Sequence, residues 1–506
     1  MEHFASTIAL IGLVIVAASL LSGLLERSRL PIVAVFLLLG VALGPLGLGY
    51  VEIGLHAPVL NVLSTLALAL VLFADATTIE KKDLTSHSRL VWVLLGPGTL
   101  VPAALLMTAA HWLLGLAWLP AAILGAALAS TDPVLLRGAL RSKALPPVPR
   151  TALRLETGMN DVLLLPVVVI AMLLIQRGAD AAGGQTIARS LVGQFLLGPA
   201  IGALTGSIGI LLMVRVRTRF GLRRDYESLY ALGLAFTAYA LAEGVGGSGF
   251  LAAFAAGLLV SLQDVELCDC FREYGDATAE MLLLLTFVAL GTSAIWMGLS
   301  VITWQTLLFA AIALTARTVV LYPVLTAVGV RGRDRTLIAL LGPRGLGSLL
   351  LVLLAVFGGI PGADQLFAIA SLVVLISLVV HGAGIALLLR AHHGAGGRSD
   401  GRPVGGSDGQ TVSETSASTR RSAPLPTVGP SDPPTADVAE RITIAELKEL
   451  WKKGEPVIVA DVRADRSYRE DDIQANDAAR LDPDDPVRDA RALRLSQRAT
   501  LVVYCA

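Results

Sequence analysis

Two short motifs place acids where an apolar chain should have none. One reads A-S-T-D-P-V-L and contains Thr131, Asp132 and Pro133; the other reads R-L-E-T-G-M-N-D-V and contains Glu156, Thr157, Asn160 and Asp161. In a helix, Thr157 and Asp161 are four apart and share a face, with Glu156 and Asn160 on the neighbouring row. Pro133 removes a backbone donor and clashes with the preceding turn, so the chain is expected to break beside Asp132 and free carbonyl oxygens there. Carboxylates, hydroxyls and carbonyls at one depth suit a hard monovalent cation such as Na⁺. Asp132, Asp161, Thr131 and Thr157 are the expected ligands. A carboxylate taken out of water favours its neutral form, and a cation beside it favours the charged one. Such a site holds a proton or a cation, but not both well.

A third motif, L-L-G-P-R-G-L-G-S, carries the opposite charge, Arg344, in another stretch interrupted by proline and glycine. Paired interrupted helices in corresponding halves of a chain point to a binding site near the bilayer midplane. Arg344 needs compensation at depth, and Glu156 is its expected partner because Asp161 must stay free to load and unload. Charges at mid-bilayer are unfavourable by about 2.5–3.5 kcal/mol on insertion scales, so each one retained calls for a partner, a cavity or a role. Asp75, Glu243, His111 and His381 read as interfacial or turn residues. Arg317, in mid-span, reads equally well as a partner for a helix C-terminus or as part of the site.

The elements that must hold these residues are membrane spans. The chain has 506 residues, of which 54% are hydrophobic and 16% charged, with a mean hydropathy of +0.70. That composition lies outside the globular range. Roughly 20 apolar residues cross the hydrocarbon, which predicts about 13 transmembrane helices, near 6–25, 31–49, 58–79, 90–112, 119–137, 151–175, 190–214, 227–243, 246–262, 278–298, 302–326, 334–357 and 365–389. Lys and Arg then gather in alternate connections, which predicts a cytoplasmic C-terminus and an N-terminus outside. The run from Ile8 to Leu25 lacks a basic leader and is expected to stay as the first span. Long apolar runs exclude a porin-like barrel. The absence of a filter-like repeat argues against a channel. Basic residues spread among inner loops give no support to nucleic-acid binding. Three cysteines without metal-like spacing exclude a disulfide scaffold.

Taken together, T-D-P, E-T-G-M-N-D and G-P-R-G-L-G-S, with the P-I-V-A-V-F-L-L-L-G-V-A-L-G-P run of the second span, resemble the monovalent cation:proton antiporters of the NhaP and sodium/hydrogen-exchanger type. The resemblance covers roughly residues 6 to 390. It implies an all-α polytopic fold with inverted repeats and two unwound, crossing helices, and a core domain that moves against a dimerisation domain in a homodimer. It implies a bacterial cytoplasmic (inner) membrane protein that serves pH homeostasis by antiport and is a transporter and not an enzyme. Asp161 would be the ion-binding, proton-carrying acid, Asn160 its neighbour, Asp132 and Thr131 the contribution of the unwound helix, and Glu156 with Arg344 a structural ion pair. An Asn-Asp pair implies electroneutral exchange. No cofactor is expected; Na⁺ or Li⁺ and H⁺ are the expected ligands, with K⁺/H⁺ exchange as the alternative.

After residue 390 the composition changes. Residues 391–437 read as a flexible linker. Residues 438–506 then give a capped amphipathic helix, a buried strand P-V-I-V-A-D-V-R and a second strand T-L-V-V-Y-C-A. With Asp461, Arg463, Tyr468 and Cys505, this stretch resembles an incomplete α/β rhodanese-like domain. Asp471, Asp472 and Ile473 replace the family's Gly-His-Ile, and sulfurtransferase activity is not expected. A membrane-tethered sulfur-transfer or sensing protein is the reading of a different class.

Overall fold

The computed structural model describes residues 32–79, 88–141, 145–177, 192–220, 224–263, 269–396 and 444–462, with Gly12, Val16 and Leu20 before them and scattered positions between 475 and 504. The chain divides into two compact units, Met1–Pro403 and Val404–Ala506.

The regular elements among the described residues of the first unit are all helices. In chain order it comprises α1 (Ile32–Leu43), α2 (Pro58–Thr77), α3 (Ser88–Leu95), α4 (Pro97–Leu114), α5 (Trp118–Ala129), α6 (Pro133–Arg141) and α7 (Pro147–Arg177). A π-helical turn at Gly193–Leu197 leads into α8 (Gly198–Phe220), followed by α9 (Arg224–Gly244), α10 (Gly249–Leu262) and α11 (Asp269–Thr292). A bend then gives α12 (Met297–Ser300), α13 (Trp304–Ala327), α14 (Gly332–Leu340), α15 (Leu346–Phe357) and α16 (Ala363–Gly396).

Seven of these helical stretches are long and apolar enough to cross a membrane, or eight if α11 and α12, bent by 59° at their junction, form one broken span. The count of 13 is therefore not reproduced by length and apolarity among the described residues. The shortfall has a physical reason. Hydropathy windows run across breaks in the backbone, whereas α1, α10 and α15 are 12, 14 and 12 residues long. The expected first span lies outside the described residues, apart from Gly12, Val16 and Leu20.

Two interruptions matter most. α5 stops at Ala129, where Ser130 turns to an extended conformation (ψ 137°), and α6 starts at Pro133. α14 stops at Leu340, and Leu341 leaves the helical region (ψ 71°) ahead of Gly342, Pro343, Arg344 and Gly345; α15 then begins at Leu346. Proline lacks a donor and biases its predecessor away from the helix, so both breaks fall where the sequence puts Pro133 and Pro343. The unwound stretches meet: the Asp132 amide donates to the Pro343 carbonyl at 2.9 Å.

Elsewhere the helices close on one another through glycine. A Cβ at Gly40 would overlap the Val288 carbonyl, one at Gly202 the Ala252 carbonyl, and one at Gly257 the Phe73 carbonyl. The seams α1–α11, α8–α10 and α10–α2 are thus backbone against backbone, as small residues allow between membrane helices.

In the second unit, α17 (Ile444–Lys452) precedes β1 (Val457–Asp461), with β2 (Ala479–Arg480) and β3 (Thr500–Tyr504) completing a parallel sheet of order β2-β1-β3. Val457 pairs with Thr500 and Asp461 with Tyr504. The Asp461 side chain is fully buried and accepts from the Tyr504 hydroxyl at 2.9 Å. The linker, apart from the start of its range inside α16, and Arg463, Tyr468, Asp471, Asp472, Ile473 and Cys505 lie outside the described residues.

Candidate functional site

The crossing of the two breaks brings together most of the residues that the sequence singles out. Thr131, Asp132, Glu156, Thr157, Asn160, Asp161 and Arg344 are all buried. α7 presents the acids and Asn160 to the α5–α6 break, and α15 closes over them.

Four half-helix ends meet here, each with unsatisfied backbone groups and a partial charge. Asp132 serves two of them. Its Oδ1 accepts from the Val134 amide at 2.7 Å, at the start of α6, and its Oδ2 accepts from the Leu346 amide at 2.7 Å, at the start of α15. One carboxylate caps two positive helix ends. Glycine at 345 makes this possible, because a Cβ there would fall inside the Asp132 carboxylate.

Arginines serve the negative ends. Arg344 Nη1 donates to the Ala129 and Ser130 carbonyls at 2.6 and 2.9 Å, at the end of α5. Arg317 Nη1 donates to the Ile338 and Ala339 carbonyls at 2.7 and 2.9 Å, at the end of α14. The backbone amide of Arg344 is held in turn by the Ser377 hydroxyl at 2.7 Å, and Ser377 bonds His381 at 3.1 Å.

The ion pair expected between Glu156 and Arg344 is not formed. Glu156 instead pairs with Arg317, whose Nε and Nη2 donate to its two carboxylate oxygens at 2.6 and 2.5 Å. The reason lies in the breaks. Unwinding leaves carbonyls free to accept from a guanidinium, and Arg344 Nη1 lies against those of α5. Arg317 from α13 reaches Glu156 in the bidentate geometry that guanidinium and carboxylate favour.

Asp161 stands apart from these pairs. The Ser130 hydroxyl donates to its Oδ1 at 2.5 Å, and among the described residues no basic side chain forms an ion pair with it. Beside it, Asn160 Nδ2 donates to Thr131 Oγ1 at 2.7 Å, while Asn160 Oδ1 is buried with no hydrogen-bond partner among the described residues. Thr157 Oγ1 donates to the Leu153 carbonyl of its own helix at 2.9 Å, leaving its lone pairs to accept. Thr131 thus meets Asn160, and Ser130 meets Asp161, across the contact of the α5–α6 break with α7.

Sequence reasoning missed Ser130, Ser348 and Ser377, and read Asp75 as an interfacial residue. In the fold Asp75 packs over α7: a Cβ at Gly158 would stand 3.6 Å from the Asp75 Cβ. The signal was available in A-S-T-D, where serine precedes the break, and in the one-turn spacing of Gly158 from Asp161. Glu243, read as part of a tight turn, accepts from the Gly249 amide at 2.8 Å at the start of α10.

Comparison with known proteins gives a consistent result. The family model described as sodium/hydrogen exchanger, transmembrane, matches residues 13–391. The chain is similar to the K⁺/H⁺ antiporter NhaP of Alkalimonas amylolytica, 25% identical over 402 residues that make up 77% of this chain and 67% of that one. It is also similar to the K⁺/H⁺ antiporter NhaP2 of Shewanella oneidensis, 27% identical over 395 residues, 75% of this chain and 66% of that one. It therefore spans about two thirds of the length of these curated relatives. The solved structure of the sodium proton antiporter MjNhaP1 from Methanocaldococcus jannaschii superimposes with a TM-score of 0.60 at 20% identity, covering 75% of this chain and 100% of that one.

Proposed function

This chain belongs to the sodium/hydrogen exchanger transmembrane family, and we propose that it is a secondary active antiporter exchanging a monovalent cation for a proton at Asp161. One contrast carries the proposal. Glu156 and Asp161 lie on the same helix and are both buried, yet Glu156 is neutralised by Arg317 and Asp161 has no ion pair among the described residues. A buried, unpaired acid needs a proton or a cation. Competition between the two, with only occupied forms crossing, gives exchange.

In this reading Asp161, Asn160, Thr131 and Thr157 bind the cation, with Asp132 alongside as the shared anion of the two helix starts. Glu156 with Arg317, and Arg344 on the α5 carbonyls, fix the crossing. Cross-neutralised half-helices support movement of the crossing as one rigid piece, so that the site faces each side of the bilayer in turn. One charge leaves Asp161 for each charge that arrives, which supports electroneutral exchange. The orientation favoured by the Lys and Arg distribution puts the C-terminus in the cytoplasm.

Na⁺, with Li⁺, is our first reading of the cation, from the hard oxygen set. K⁺ is the second, favoured by the names of the Alkalimonas and Shewanella relatives. Proteoliposomes with an acid interior and a proton-sensitive dye test both. Collapse of the gradient on adding NaCl supports the first reading, and collapse with KCl alone supports the second. No collapse with Na⁺, Li⁺ or K⁺ overturns antiport.

For the second unit we propose a regulatory module of rhodanese-like descent. Its parallel sheet around the buried Asp461 supports an α/β domain. Thiosulfate:cyanide sulfur transfer by the full chain would overturn the regulatory reading in favour of an enzyme.

A further inference from the structure

Ser130 occupies a place that no other residue at the crossing shares. Its hydroxyl donates to Asp161 at 2.5 Å. Its carbonyl accepts from Arg344 Nη1 at 2.9 Å and from the Ser348 hydroxyl at 3.4 Å. Its side chain lies under α15, where a Cβ at Gly347 would stand 3.2 Å from Ser130 Oγ and 3.3 Å from Asp161 Oδ2. The main chain is thus held by a guanidinium and a hydroxyl, and the side chain is turned toward Asp161.

A hydroxyl has one donor and two lone pairs. Toward a bare carboxylate it donates. Toward a cation it must turn its hydrogen away and present oxygen. We propose that Ser130 is a positioning and selectivity residue of the exchange site, its hydroxyl holding the Asp161 carboxylate until a monovalent cation arrives and then turning to ligate that cation. This inference deepens the antiport reading and rests on it. Ser130 favours the charged form of Asp161 in the first state and completes the cation's oxygen shell in the second. Both effects work for the cation against the proton. Ser130 Oγ stands 2.5 Å from Asp161 Oδ1, so a cation taken between these two oxygens is also sorted by its radius.

The test uses the full chain in proteoliposomes with a proton-sensitive dye, titrating NaCl, LiCl and KCl at one pH. Removing a hydrogen bond to a charged group raises the KM for the preferred cation about tenfold in Ser130→Ala, with the maximal rate held within about twofold. The KM ratio between the three cations also changes. Ser130→Thr, which keeps the hydroxyl, restores the wild-type KM. If Ser130→Ala does not fold, Ser130→Cys keeps the shape with a weak donor and a soft sulfur, and the same KM rise is expected. An unchanged KM overturns the inference, as does an equal loss of maximal rate for all three cations at constant KM. Those results leave antiport standing; a wild type that moves no protons with any cation brings down both.

Discussion

Arg317 grips Glu156 with two parallel hydrogen bonds, 2.6 and 2.5 Å long, between side chains that are each 3% exposed. The same guanidinium caps α14 through Nη1. It therefore joins α13 and α7 to the end of one broken span, and its loss is felt in all three.

Breaking this pair from one side leaves a charge buried and uncompensated. Glu156→Gln is expected to destabilise the protein by about 3–5 kcal/mol, read as a large fall in the thermal midpoint in detergent. Arg317→Lys should fall between wild type and Glu156→Gln, because an ammonium cannot make the bidentate contact. Equal midpoints for wild type and Glu156→Gln would contradict the pairing.

Asp161→Asn should behave in the opposite way. Exchange is lost, since the amide can neither carry a proton nor neutralise a cation, while the thermal midpoint stays level or rises because an unpaired buried charge has gone. In the wild type, competition at one site predicts that the apparent KM for the cation falls as pH rises. A pH-independent KM would mean that proton and cation bind in different places.

Asp132→Asn retains one acceptor oxygen for two backbone donors. It should cost about 1–3 kcal/mol through the amide left without a partner, and slow exchange without changing the order of preference among cations. A variant as stable as wild type would show that one of the two helix starts does not depend on this side chain.

Gly345→Ala puts a methyl group into the Asp132 carboxylate. The carboxylate is held by the Val134 and Leu346 amides and cannot yield cheaply, and about 1–3 kcal/mol of strain is expected. The check is thermal unfolding beside the flux assay, with both reduced together.

Truncation after Gly396, where α16 ends, removes the second unit and leaves every residue of the crossing in place. Cation-dependent proton flux should survive, with any change confined to its regulation. Loss of flux in a well-folded truncated protein would assign the tail a part in transport.

The breaks and their acids were legible in the sequence because proline and charge are rare in apolar runs and each needs a reason. The partner of Arg344 was not. Sequence marks a buried charge as needing compensation, but it does not say whether an acid or a freed carbonyl supplies it, and here Ala129 and Ser130 do. Ser130 and Ser377 escaped notice because a serine in a membrane helix commonly bonds its own preceding turn and signals nothing.

The glycine seams of α1 with α11, and of α10 with α8 and α2, have a mechanical corollary. Where main chains touch there is no side chain left to compress, so these joints resist sliding by fractions of a turn. Under the proposed alternating access, helices so joined are expected to travel as plates, with the stroke taken up at other faces. Widening a single joint by one methyl group, as at Gly202, would transmit its error to the whole plate.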